Sequence, residues 1–195
     1  MLSRVGASDV QIRRAHPDDW ITVRDLRLAA LTDAPEAFAA TLGRELGRTE
    51  PEWRARISAW PWFLAWRAGK PAGLVAIVPG QAGTGQAGTG QAGTGQDDQA
   101  AAKGECREWH LVSMWVNPTA RGTGIADLLI SEVIEHARVT GASRVTLWVA
   151  LGNSRARAVY LRTGFAPTGK RQVYRRAGAA DLDEEELARA IDALP

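Results

Sequence analysis

The residues with the clearest chemical potential in this 195-residue chain form one run, Arg121-Gly122-Thr123-Gly124-Ile125-Ala126. Two glycines let the backbone turn tightly. Ile125, Leu128, Leu129, Glu132, Val133 and His136 follow at helical spacing, with the apolar residues on one face. A helix that opens on a glycine turn aims unpaired N–H groups, and the positive end of its dipole, at whatever lies in front of it. That end suits phosphate, and Arg121 adds a positive charge. A Rossmann dinucleotide site fits poorly, because the third glycine spacing is missing and no βαβ unit opens the chain. The plain alternative is a strand-to-helix turn that binds nothing.

Two further groups could do chemistry. Asn153 and Tyr160 are seven apart, two helical turns, and share a face with Ala156. Asn153 reads first as a helix cap, and Tyr160 alone reads as a half-buried packing residue. Glu108, His110 and Val112 alternate along one strand face unless a bulge intervenes. His16, His110 and His136 show no ligand spacing and Cys106 is the only cysteine, so no metal is expected.

The elements that must position these groups read in order. A short strand at Val10, Ile12 and Ala15 leads through His16-Pro17-Asp18-Asp19 into a helix over 20–31. That helix buries Trp20, Val23, Leu26, Leu28 and Leu31 and turns Arg24, Asp25 and Arg27 to solvent. Helices over 35–46 and 50–59 follow. A strand over 63–66 turns at 68–71 into a returning strand over 73–78. The longest strand, 107–116, ends at Asn117-Pro118, since proline cannot donate to a ladder. Then come the helix 124–139 with Gly141 past its end, a strand over 144–149, the Asn153-capped helix 154–163 and strand-like 165–168. Residues 182–194, rich in Glu, Leu and Ala, read by propensity as helix.

Residues 81–95 are QAGTG three times over, and the low complexity runs to about residue 104. The period is too short and too polar for a solenoid, so 80–104 reads as a flexible loop between two strands of one sheet. Net charge is only +2, which argues against nucleic-acid binding. The opening residues lack an apolar signal core, no apolar run approaches membrane-spanning length, and one cysteine forbids an intrachain disulfide. The expected location is cytoplasmic, without a membrane partner.

The order of elements, together with Arg121-x-x-Gly124-x-Ala126, resembles the GNAT superfamily of N-acetyltransferases, whose acetyl-CoA motif is Arg or Gln, two residues, Gly, one residue, then Gly or Ala. Asn153, Ala156, Tyr160 and Gly164-Phe165 match a second pattern of that family. The resemblance covers roughly 10–168 and is greatest to bacterial members of the small-molecule type. It implies an α/β fold with a mixed, mainly antiparallel, twisted sheet flanked by helices and splayed beside Val116, spanning 8–191 as one acetyltransferase domain. It also implies acetyl-CoA as cosubstrate, its pyrophosphate on the amides of Gly122, Thr123, Gly124, Ile125 and Ala126 beside Arg121. Pantetheine would lie on main-chain groups around Met114 and Val116, with Asn153 a further contact.

In the family the residue matching Tyr160 protonates the departing thiolate. Many members carry a Glu eleven residues before the motif's first residue, where this chain has His110. The base expected here is His110, with Glu108 to orient or tune it or with water to carry the proton; the plain alternative is a polar residue on a half-exposed strand. Related chains end in a strand, which would make 184–190 a strand and 169–181 a loop by the acceptor pocket, carrying Lys170, Arg171, Tyr174 and Arg175. Trp20, Asp33, Glu36 and Phe38 would shape the rest of that pocket. The implied reaction is direct acetyl transfer to the amine of a small molecule, with at most a homodimer as protein partner. The alternatives are an acyl-CoA sensor without turnover and a protein or peptide N-acetyltransferase.

Overall fold

The computed structural model describes residues 9–80, 108–175 and 180–192. Seven strands form one sheet in the order β1-β2-β3-β4-β5-β7-β6. They are β1 Val10–Arg14, β2 Trp62–Arg67, β3 Lys70–Pro79, β4 Glu108–Val116, β5 Arg144–Ala150, β6 Ala166–Tyr174 and β7 Leu182–Ala190. All neighbours pair antiparallel except β4 with β5. The helices are α1 Trp20–Asp33, α2 Leu42–Leu46, α3 Glu50–Ala59, α4 Ile125–Val139 and α5 Ser154–Arg162. No helix among the described residues is long and apolar enough to cross a membrane.

The apolar run of β3 has a simple cause: both faces of the central sheet are covered. Phe63, Ala65, Val75 and Ile77 join the core shared with Leu129, Val133 and Ala137 of α4. Trp62, Leu64, Leu74 and Ala76 face the other way, into a core built with Val23, Leu26 and Ala30 of α1 and Trp53 and Ile57 of α3. Alternation along each strand feeds the two cores in turn.

Three sequence expectations change. The single helix over 35–46 is a 3₁₀ turn, Pro35–Ala37, then a bend and the short α2. Extended backbone at Phe38 and Thr41 interrupts it. Arg27, expected in solvent, is 4% exposed, since it falls on the 23, 26, 27, 30, 31 stripe that α1 presents to the sheet. The loop expected from residue 169 is strand: Lys170, Arg171 and Tyr174 lie within β6, paired to β7 across a register shift between Pro167 and Arg171, with Gly169 at φ 87°. Residues 182–190 form a strand, as the resemblance implied and against local propensity. The QAGTG repeats and the last residues of the tail lie outside the described residues.

Candidate functional site

The phosphate-grip run leaves β4 through a 3₁₀ turn, Pro118–Ala120, capped by Asn117, whose Oδ1 accepts from the Thr119 amide at 3.0 Å. Gly122 and Gly124 have φ of 78° and 84°, the left-handed region that glycine enters without strain. A Cβ on either would meet nothing within 4 Å, so the conformation, and not internal crowding, demands glycine there. The Thr123 hydroxyl donates to Ala120 O at 2.7 Å and tightens the turn. No side chain caps α4, which leaves its first amides facing outward. Asp127 in its first turn is paired with Arg162 of α5. Ala126 packs against the core on the α4 side of the sheet. Loop, helix start and open surface therefore make a cradle that fits an anion.

Arg121 is differently employed. Its Nε donates to Val116 O at 3.1 Å, and its Nη2 pairs with Asp33 at the end of α1. Asp33 also accepts the Trp115 indole N–H at 2.9 Å. The Trp115 hydrogen bond, then the Arg121 guanidinium, hold the Asp33 carboxyl below the usual carboxylate range. So Asp33, expected to shape an acceptor pocket, ties α1 to the loop. Trp115 reaches it because β4 carries a bulge. Leu74 pairs with Trp115 but Ala76 with Val112, and Ser113 sits at φ 59°. The extra residue turns Trp115 to the α1 side and Met114 and Val116 to the α4 side.

β4 and β5 pair only over Glu108–His110 with Arg144–Thr146. Beyond His110 the strands part: β4 continues to Val116 on β3, and β5 continues to Ala150 on β7. The edge of β4 that bears Met114 and Val116 thus opens beside the glycine loop. At the last rung, His110 Nδ1 lies 3.0 Å from Thr146 Oγ1, which donates to Glu108 Oε1 at 2.9 Å. Arg144 Nε donates to Glu108 Oε2 at 2.6 Å. Burial pushes the His110 imidazole down to about 4, against the opposing pull of the Glu108 and Glu186 charges. The bulge falls after Val112, so Glu108 and His110 keep their common face.

α5 lies on the opposite face. Asn153 caps it, accepting the Ala156 amide at 3.1 Å. Tyr160 is 6% exposed and packs edge-on against Phe165. No hydrogen bond from another described residue engages its hydroxyl, and burial pushes the phenol above its ordinary range. Among the described residues no three His, Cys, Asp or Glu side chains gather as metal ligands.

Comparison with known proteins decides the family. The model of the acetyltransferase (GNAT) family matches residues 27–165, most of the chain. The chain belongs to the GNAT family. Among curated relatives, an uncharacterized N-acetyltransferase of Mycobacterium tuberculosis is 38% identical over 89 residues, 46% of this chain and 56% of that one. The chain spans about half the length of the curated relatives it matches. The fold recurs in an acetyltransferase of the GNAT family from Streptococcus pneumoniae, with TM-score 0.70 and 20% identity over 94% of this chain and 100% of that one. It recurs too in a spermidine N-acetyltransferase from Vibrio cholerae in complex with CoA and spermine, with TM-score 0.66 and 17% identity over 94% and 96%. This GNAT chain carries the family's mixed, splayed sheet.

Within that frame the fold brings together the glycine loop, the open edge of β4 and α5. It sets His110 and Glu108 at the branch point. The sequence reading missed Thr146 and the Asp33–Arg121 tie. Both span long separations, and nothing in the chain order signals them.

Proposed function

We propose that this protein transfers the acetyl group of acetyl-CoA directly to an amine of a small molecule. The observation that carries the reading is the parting of β4 and β5 beyond His110 and Thr146, with the glycine loop and α5 beside it. The outward amides from Gly122 to Ala126 would take the pyrophosphate. The unpaired β4 edge around Met114 and Val116 leaves main-chain groups in need of partners, which the two amides of pantetheine supply. Val116 O can serve Arg121 and a pantetheine amide together, since a carbonyl accepts twice. Asn153 spends its side chain on the cap, so any contact to the cosubstrate is secondary.

His110 is neutral at neutral pH and is a weak base. An alkylammonium, of pKa about 10, lies far beyond it. The acceptor therefore enters as free amine. His110 takes the proton only once the nitrogen has bonded to the thioester carbon and become acidic. As the C–N bond forms, the C–S bond breaks and the phenol of Tyr160 gives its proton to the sulfur; the phenolate regains a proton from water once CoA leaves. Burial keeps that phenol protonated until a thiolate develops beside it. Fold neighbours named for a polyamine and for a ribosomal-protein acceptor share this sheet. The choice of a small amine rests on the resemblance of the sequence to small-molecule members, and peptides belong in the test.

Free thiol should appear when the protein meets acetyl-CoA and a panel of diamines, amino sugars, amino acids and short peptides. At least one small amine should turn over. Tyr160→Phe should lower kcat about 100-fold and leave acetyl-CoA binding intact. Binding without turnover across the panel would favour the sensor reading. Absence of CoA binding would defeat both.

A further inference from the structure

We propose that Thr146 is a positioning residue for the reaction: its hydroxyl couples Glu108 to His110 Nδ1 and so reserves the Nε2 lone pair for the acceptor. The inference rests on the reading of His110 as base. Glu108 and His110 are two apart on one strand face, about 7 Å along it, and no direct hydrogen bond joins them; both meet Thr146 Oγ1 instead. β5 supplies the bridge. Glu108 pairs with Arg144 and His110 with Thr146, the first and last of the three rungs before the strands separate.

The direction of the chain of hydrogen bonds follows from what each group can give. The Glu108 carboxylate, in contact with the Arg144 guanidinium, accepts only. The single hydroxyl hydrogen of Thr146 therefore goes to Glu108 Oε1 at 2.9 Å. A lone pair of Oγ1 is left for His110 at 3.0 Å, and only an Nδ1–H can fill it. That fixes the neutral ring with its proton on Nδ1 and its lone pair on Nε2, which no described residue engages. Thr146 is 1% exposed, so water does not compete for the hydroxyl. The charges around the ring are Glu108 on its own strand, Arg144 on β5, and Glu186 on β7, itself paired with Lys170 of β6. When Nε2 receives the proton, the imidazolium keeps its Nδ1–H bond and the carboxylate charge behind it. The proton then leaves to water with the product, so nothing accumulates on Thr146.

The test reads the ring as well as the rate. Imidazole nitrogen NMR of the labelled protein should show His110 as the Nδ1–H form. Thr146→Val should lose that form and lower kcat about 10- to 100-fold, part of the general-base contribution, with KM for acetyl-CoA little changed. Thr146→Ser should restore both. Glu108→Gln gives a sharper sign, since a Gln amide can donate to Oγ1, turn the hydroxyl toward Nδ1 and drive the proton to Nε2. It also serves if Thr146→Val fails to fold. A Thr146→Val protein with the wild-type ring form, a Ser variant that rescues neither readout, or an unchanged ring in Glu108→Gln would overturn the link. The base reading fails separately, if His110→Gln keeps full turnover while the ring form still responds to Thr146→Val.

Discussion

At the scale of single residues, His110 shows how burial and hydrogen bonding divide the work. The strand sequence places a histidine where many family members have a glutamate, and that much is legible from spacing. Its ionisation depends on burial, opposed by the Glu108 and Glu186 charges, and its tautomer on Thr146, contacts that strand pairing creates. A stability test follows. Burial lowers the folded-state value to about 4 from an ordinary 6.5, so between these values the unfolded chain holds more protons. The contribution is complete above pH 6.5 and is lost as pH falls toward 4, by at most about 3 kcal/mol. Burial lowers His136 too, so the difference from a His110→Gln variant isolates the effect. Urea unfolding at pH 7 and pH 4.5 should show a smaller loss in the variant; equal losses would refute the assignment.

At the scale of elements, α1 carries both a misreading and a consequence. The apolar spacing put Trp20, Val23, Leu26, Leu28 and Leu31 on the buried side and the charge of Arg27 argued for solvent, whereas the buried stripe is 23, 26, 27, 30 and 31. The fold buries Arg27 all the same, under Phe38 with the guanidinium 4.7 Å from the ring, and leaves Nε and Nη1 without partners. Burial pushes its pKa down to about 10, partly offset by Glu45. Glu45 itself is held by Arg48 and Arg56 and does not depend on Arg27. Arg27→Met keeps the volume, removes a buried cation that Glu45 and Phe38 offset only in part, and should stabilise the protein by about 1 kcal/mol or more in urea unfolding. A loss of stability would show that the Phe38 stack outweighs desolvation. β7 is the converse case. Its Glu-Leu-Ala composition favours helix, yet β5 on one side and β6 on the other supply ladder partners along it. Arg157, Lys170 and Gln172 engage Glu185, Glu186 and Glu184. Composition registers local preference alone, and tertiary pairing overrode it.

For the whole molecule, the proposed site is read from one feature, the break between β4 and β5. Gly80 N donates to Glu108 O at 2.6 Å, so the fold already closes the two ends of the connection between β3 and β4. Deleting residues 81–95 leaves a shorter connection between the same paired ends. Closure entropy varies only logarithmically with length, so the change should be less than about 1 kcal/mol and in the stabilising direction. Melting temperature and turnover of the deletion protein should match the parent within a few degrees and about twofold. A collapse of soluble expression would mean that the repeats do more than connect. The sequence by itself determined the elements whose signals are local. These are the glycine turn before α4, the Asn153 cap, the hairpin turn within residues 68–71, and the motif spacing that carries the GNAT resemblance. Only the tertiary structure decided which groups meet: the Ser113 bulge that sends Trp115 to Asp33, the capture of Arg121 by α1, and the hydroxyl of Thr146 between Glu108 and His110. The physical reason is range. Turn and cap chemistry is settled within a few residues, whereas strand register brings together groups that chain order keeps far apart.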